Sequence, residues 1–90
     1  MDYDWDEAKN AANRREYGID FASVERFGWD LADIEIDDRE DYGELREVAY
    51  SFLGHRLHTL VFTRRGEAIR SISLRKSDKK EMKRYGRNTR

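Results

Sequence analysis

The stretch Leu57-His58-Thr59-Leu60-Val61-Phe62-Thr63, Arg64-Arg65-Gly66-Glu67, Ala68-Ile69-Arg70-Ser71-Ile72-Ser73-Leu74-Arg75 decides the fold. Its first seven residues are the most β-branched and aromatic run of the chain and suit a central strand. A glycine-containing hairpin turn follows at 64–67. Residues 68–75 then alternate as a strand, with Ala68, Arg70, Ile72 and Leu74 on one face and Ile69, Ser71, Ser73 and Arg75 on the other. Upstream, Gly54-His55-Arg56 reads as a turn. Residues 45–53 read as a strand whose Val48, Tyr50 and Phe52 share a face, with Arg46 on that face at its start. Ala32-Asp33-Ile34-Glu35-Ile36-Asp37 alternates apolar and acidic residues, which predicts a half-buried strand with Ile34 and Ile36 inward. Asp38 to Tyr42 is a polar loop closed by Gly43. The short connections favour antiparallel pairing.

The flanks read as helices. Residues 6–17 follow a helical pattern, capped by Asp4 or Asp6 and stopped by Gly18, with Trp5, Ala8, Ala12 and Tyr17 as the apolar stripe. Asp20 caps a short second helix in which Phe21, Val24 and Phe27 recur, ending at Gly28. Ser77 caps a last helix through Tyr85, Gly86 stops it, and 87–90 form a basic tail. The expected order is ααββββα. It describes an α+β fold with a compact antiparallel four-stranded sheet, two N-terminal helices and a C-terminal helix, in one domain over 1–86. Trp5, Phe21, Phe27, Trp29, Tyr50, Phe52 and Phe62 recur at structural periods, so they read as core, with Trp5 and Trp29 partly exposed.

Ninety residues support one modest core. The absence of cysteine excludes disulfides, thiol catalysis and thiolate metal sites. His55 and His58 sit three apart, on opposite faces of an extended segment, so a histidine metal site is not expected; both read as structural or surface residues. No metal or cofactor is expected. No apolar run approaches the ~20 residues of a membrane span. The N-terminus is acidic and lacks the basic and apolar regions of a signal peptide, which points to a cytoplasmic protein with no membrane partner. The formal charge of −1 hides a division. Residues 1–45 hold 15 acids and 5 bases, a net −10, whereas residues 46–90 hold 4 acids and 13 bases, a net +9. Either the two halves pair within the fold, or a basic surface meets an anion such as nucleic acid.

A set of short motifs runs through the chain: Trp5-Asp6-x-x-Lys9-Asn10-x-x-Asn13, Gly18-Ile19-Asp20-Phe21, Gly43-Glu44-x-Arg46, Leu60-Val61-Phe62-Thr63, Arg70-Ser71-Ile72-Ser73-Leu74-Arg75-Lys76, then Glu81 and Tyr85. Each piece is weak alone. In this order and spacing the chain resembles the BrnT family of bacterial toxins along nearly its whole length. The resemblance implies a RelE-like α+β fold and a type II toxin, an endoribonuclease that arrests translation. It also implies a BrnA-like antitoxin with a ribbon-helix-helix DNA-binding domain. Toxin and antitoxin would form a heterotetramer that represses their operon, so that DNA is met only through the antitoxin. One departure stands out: where the family often carries Lys-His before the glycine, this chain has Glu16-Tyr17.

RNA supplies its own nucleophile, the 2′-hydroxyl. Metal-independent cleavage needs a base for the 2′ proton, cations for the charge growing on the phosphorane, and an acid for the leaving 5′ oxygen. Four residues are catalytic candidates. Glu44 and Arg46, two apart in a strand, would share a face, with Glu44 as base or orienter and Arg46 as a planar phosphate clamp; a cross-strand ion pair is the alternative. Arg75 and Lys76 stand at a strand end, suited to a phosphate. The RNA-binding candidates are Lys9 and Asn13, four apart on the first helix, Arg70 and Tyr85. Lys9 can equally be part of a solvated helix face. Arg70 lies among apolar neighbours, which RNA contact or snorkelling would explain. Tyr85 can stack on a base or anchor the last helix. By simple alternation Arg70 and Arg75 fall on opposite faces, so only one reaches a given site unless the strand end twists. The alternative function is a non-catalytic module that binds nucleic acid or protein through the basic C-terminal half, including Lys79, Lys80, Lys83 and Arg84. The antitoxin contact is open between an edge strand and a groove beside the sheet. The acidic segment from Asp37 to Asp41 attracts a basic partner or is a solvated loop.

Overall fold

The computed structural model describes residues 1–88. Its elements are β1 (Asp2–Trp5), α1 (Glu7–Tyr17), two 3-10 turns (Phe21–Arg26 and Trp29–Leu31), β2 (Asp33–Asp37), β3 (Arg46–Leu53), β4 (Arg56–Arg65), β5 (Ala68–Lys76) and α2 (Lys79–Asn88). The fold is α+β, but the sheet has five strands rather than four, in the order β1-β5-β4-β3-β2. The additional strand, β1, pairs parallel with β5, while every other pairing is antiparallel. Asp2-Tyr3-Asp4-Trp5 alternates acidic and aromatic residues, and the half-buried Tyr3 and Trp5 pack against the core. The expected second helix is a six-residue 3-10 turn, because Phe21, Val24 and Phe27 recur at the 3-10 period of three. The last helix runs through Gly86 to Asn88; Thr89 and Arg90 of the expected tail lie outside the described residues.

Helix α1 is capped by Asp6, whose Oδ1 accepts from the Ala8 N–H at 2.8 Å. Gly18 ends it at φ 73°, a left-handed conformation that glycine adopts without penalty. The face it buries is not the expected stripe: Ala8, Ala12 and Tyr17 are exposed, while Asn10 and Asn13 are 2% and 5% exposed. Both asparagines stand in for backbone. Asn13 accepts from the Leu74 N–H at 3.0 Å and donates to the Leu74 and Ile19 carbonyls at 2.9 Å each. Strand β1 pairs with β5 only as far as Ser71, so Asn13 satisfies the β5 edge beyond it. Asn10 accepts from the Phe21 N–H at 2.9 Å and donates to Asp20 at 3.2 Å, fixing the start of the 3-10 turn.

Strand β5 carries a bulge. Val61 faces Ser73 and Phe62 faces Ser71, so Ile72 has no partner opposite. The extra residue reverses the alternation. Ile69, Ser71 and Leu74 turn to the core, and Arg70, Ser73 and Arg75 share the other face, contrary to the simple alternating pattern. The core lies on the first of these faces: Phe21, Val24, Phe27, Ala49, Leu60, Phe62, Ile69 and Leu74, with Trp29 edge-on to Phe27 and Phe62 at 5.0 and 5.4 Å. Gly28 passes so close to β3 that a Cβ there would lie 2.9 Å from Ser51 Oγ. Ile34 and Ile36 share the core side of the sheet yet stay exposed, because the elements above that side pack on β1, β3 and β5. Phe52, on the opposite face, is exposed too and packs edge-on against Tyr85 of α2 at 5.7 Å.

Candidate functional site

The face of the sheet opposite the core carries three cross-strand rows. In one, Asp37 faces Arg46, and Thr63 and Asp4 both face Arg70. The middle row is Glu35, Val48, Val61 and Ser73. The last is Asp33, Tyr50, Thr59 and Arg75. Two rows rich in charge thus flank a short apolar floor of Val48 and Val61. Arg46 and Tyr50 are four residues apart in β3, so the outer rows are separated by roughly 13 Å at the usual rise per residue. Groups from both ends, including Asp37, Arg39, Arg75, Glu81 and Arg84, line one groove over this floor.

At one end the groove is built around Arg75. Its guanidinium grips Glu81 with two bonds, Nη1 to Oε1 at 2.8 Å and Nη2 to Oε2 at 2.9 Å, and Nη1 also donates to the Lys76 carbonyl at 3.3 Å. Those bonds leave two of the five N–H donors of an arginine uncommitted among the described residues. Glu81 also accepts from Thr59 at 3.1 Å, and it closes a capping box with Asp78: Asp78 N–H to Glu81 at 2.9 Å, Glu81 N–H to Asp78 at 2.8 Å. Asp78 is therefore the cap of α2, and Ser77 is buried against Thr59 at 2.8 Å instead. Burial pushes the Glu81 carboxyl up, but the bonds from Arg75 and the Asp78 backbone outweigh it and hold it below the usual range. Glu81 is thus an ionised orienter and a poor base. Burial, reinforced by the hydrogen bond to Glu35 at 3.0 Å, pushes the Tyr50 phenol up, so Tyr50 stays protonated and donates. Arg84 joins Glu35 at 2.9 Å and lies over the Tyr50 ring.

At the other end, Arg46 is half-buried with its Cζ 3.8 Å from the centre of the Tyr42 ring, and its buried Nε has no hydrogen-bond partner among the described residues. Asp37, opposite Arg46 in the sheet, is taken by Arg39 instead, at 2.7 and 2.9 Å. Those bonds from Arg39 hold the Asp37 carboxyl below its usual range against the opposing effect of burial. Asp37 therefore supplies negative charge near Arg46 without occupying its donors.

The other expected residues distribute unevenly. Glu44 precedes β3 instead of lying in it, and its carboxylate reaches Arg65 at 3.4 Å rather than Arg46, although both line the depression of the 37–45 loop. Lys76 is exposed at the end of β5. Arg70 shares the open face and is paired to Asp4 at 2.6 Å, which explains its place without an apolar core around it. Lys9 and Asn13 line one shallow depression with Glu16, Tyr17 and Ser73, but Asn13 has its amide committed to Leu74 and Ile19. Tyr85 donates to the Leu31 carbonyl at 2.7 Å and packs on Phe52, so it anchors α2. His55 is exposed in a turn, and His58 is buried with Nδ1 2.8 Å from the Arg56 carbonyl oxygen. The sequence named Glu81 only as a motif residue, Arg84 only on the alternative basic surface, Asp37 only in the acidic segment and Tyr42 only as part of a loop. The spacing Asp78-x-x-Glu81 and Arg84 one turn later were signals for the first two; Tyr42 and Asp37 gave none.

Among the described residues, no helix is long and apolar enough to cross a membrane, and no group of three or more His, Asp or Glu is placed to hold a metal ion. No curated protein sequence matches the chain. Residues 5–81 match the family model described as "Ribonuclease toxin, BrnT, of type II toxin-antitoxin system". The fold is similar to the crystal structure of the Brucella abortus ribonuclease toxin BrnT, with a TM-score of 0.67 and 28% identity, covering 88% of this chain and 99% of that one.

Proposed function

Because this chain belongs to the BrnT family of ribonuclease toxins of type II toxin-antitoxin systems, we propose that it cuts RNA laid across the open face of its sheet, with Arg46 and Arg75 holding successive parts of the backbone. The observation that supports this most is their placement on one face of the sheet, Arg75 in the groove and Arg46 in the loop depression that adjoins it through Asp37 and Arg39, which the Ile72 bulge makes possible. Arg46 has no carboxylate partner among the described residues, and its guanidinium lies against the ring of Tyr42. Arg75 is held by Glu81 in a fixed plane with donors to spare. An oriented guanidinium suits the growing charge of a phosphorane, a second one further along steadies the neighbouring backbone, and removing one such donor typically costs about 10²–10³-fold in rate. In this reading the cleavage is metal-independent, since cations supply the electrostatic work. Glu44, beside Arg46 in the loop depression, is the base for the 2′ proton, water protonates the leaving 5′ oxygen, and Lys76, at the Arg75 end, steadies a phosphate further along the backbone. Lys9 and Arg70 guide the flanking strand, Asn13 holds the β5 edge beneath it, and Tyr85 keeps α2 in place alongside it. Glu16 and Tyr17, where the family often has a basic pair, weaken the hold on RNA at the Lys9 depression.

The same reading gives the protein a cytoplasmic role in arresting translation and a RelE-like origin of the fold. Its partner is a BrnA-like antitoxin with a ribbon-helix-helix domain, bound as a heterotetramer that carries the only DNA contact. The alternative, a binding module without catalysis, is favoured by the exposed lysines Lys79, Lys80 and Lys83 of α2. Incubation of the antitoxin-free chain with end-labelled RNA in EDTA separates the two. Cleavage by the native chain, slowed about 10²–10³-fold by Arg46→Ala, is the expected result. RNA that is bound but never cut, even on translating ribosomes, would leave only the binding module.

A further inference from the structure

We propose that β2 is a docking edge for a basic, extended segment of a partner protein, which adds to the sheet as a sixth strand. Among the described residues, strand β2 ends the sheet, with β3 on one side and no strand on the other. Its sequence is a strict alternation, Asp33-Ile34-Glu35-Ile36-Asp37. The acids share the open face of the sheet, and Ile34 and Ile36 share the other, where they are 39% and 60% exposed. Leu31, just before the strand, and Leu45, which lines one depression with Ile36, are 60% and 59% exposed. An edge strand with flanking apolar side chains is the feature that soluble proteins usually blunt with lysine, proline or cover. Here it is left open and coloured by one sign of charge: residues 30–44 hold eight acids and a single base, Arg39.

The charge pattern selects the occupant. A nucleic acid has no peptide main chain with which to continue the sheet at this edge, and an anionic membrane surface would meet mainly carboxylates. A second copy of the chain pairing through the same strand would set Glu35 against Glu35 and Asp33 against Asp37, and like charges directly opposite are destabilising. The complement of the β2 pattern is a strand that alternates apolar and basic residues. Its apolar side chains would cover Ile34 and Ile36, and its cations would stand beside Asp33, Glu35 and Asp37, sharing these carboxylates with Asn88, Arg84 and Arg39. Main-chain bonds to an exposed edge give such additions their affinity and alternate side chains their specificity. In a toxin-antitoxin pair the antitoxin is the source of that segment, and this identification alone rests on the family reading.

The test uses the full chain and a synthetic peptide alternating valine and lysine, followed by amide hydrogen exchange. The peptide is expected to slow exchange at β2 amides within 33–37, with an affinity that falls as salt rises. Replacing Ile34, which lines neither the groove nor the loop depression, by lysine is expected to weaken binding by about tenfold or more, while RNA cleavage stays as in the native chain. A peptide whose alternate backbone amides are N-methylated, and one alternating valine and glutamate, are expected not to bind. Failure of the valine-lysine peptide to bind, protection confined to other elements, or equal binding of the N-methylated peptide would overturn the proposal. Loss of cleavage in the native chain with β2 protection intact would count against the nuclease reading and leave this one standing.

Discussion

Replacing Asn13 by alanine is expected to lower the stability of the fold by about 2–5 kcal/mol, far more than a surface helix position normally costs. The side chain makes three bonds to backbone, two of them to Leu74 and one to the Ile19 carbonyl. Alanine would leave those groups buried without partners, and each unsatisfied group costs about 1–3 kcal/mol. For a chain of this size such a loss would lower Tm by roughly 10–30 °C. Asn13→Asp is expected to be equally damaging, because it removes both donated bonds and places a charge where little water reaches. Thermal unfolding followed by circular dichroism gives the answer. A change within about 0.5 kcal/mol would mean that β5 is not held at its edge in this way.

Replacing Arg75 by alanine is the second large effect, and it should appear in catalysis before it appears in folding. The single-turnover rate of RNA cleavage is expected to fall about 10²–10³-fold. Helix α2 buries no residue, and Glu81 keeps its bonds to Thr59 and to the Asp78 backbone, so the fold should persist. Arg75→Lys keeps the charge but cannot reproduce the two-point grip on Glu81, and an intermediate rate is expected. Single-turnover rates on purified, folded variants decide it. A rate for Arg75→Ala within about twofold of the native chain would remove Arg75 from the reaction altogether.

The hairpins of residues 45–76 were legible because period-two alternation and glycine turns coincide there. What escaped the sequence escaped for physical reasons that can be named. Strand β1 alternates correctly, but four acid-rich residues beside a helix cap read as the approach to that helix. The bulge at Ile72 is one extra residue in a run of alternating Ile and Ser, and only the partner strand reveals it. Since it reverses the faces of β5, the joint placement of Arg70 and Arg75 could not be read from spacing. The asparagines of α1 defeated the apolar-stripe rule because their amides replace backbone partners. At the candidate site, the motifs around Arg46 and Arg75 singled both out as proposed contacts. The isolation of Arg46 from Asp37 was not, since it depends on Arg39 and Tyr42 folding back from a loop.

The central claim is that RNA lies on the open face of the sheet. The most direct measurement is an amide chemical-shift titration of the full chain with an RNA oligonucleotide carrying a 2′-deoxy residue at the scissile position, which can bind but cannot be cut. The largest shifts are expected across the open face, at Val48, Val61 and Arg75 in the groove and at Arg46 in the adjoining loop depression. Shifts confined to the outer side of α2 around Lys79, Lys80 and Lys83, with the groove silent, would contradict it.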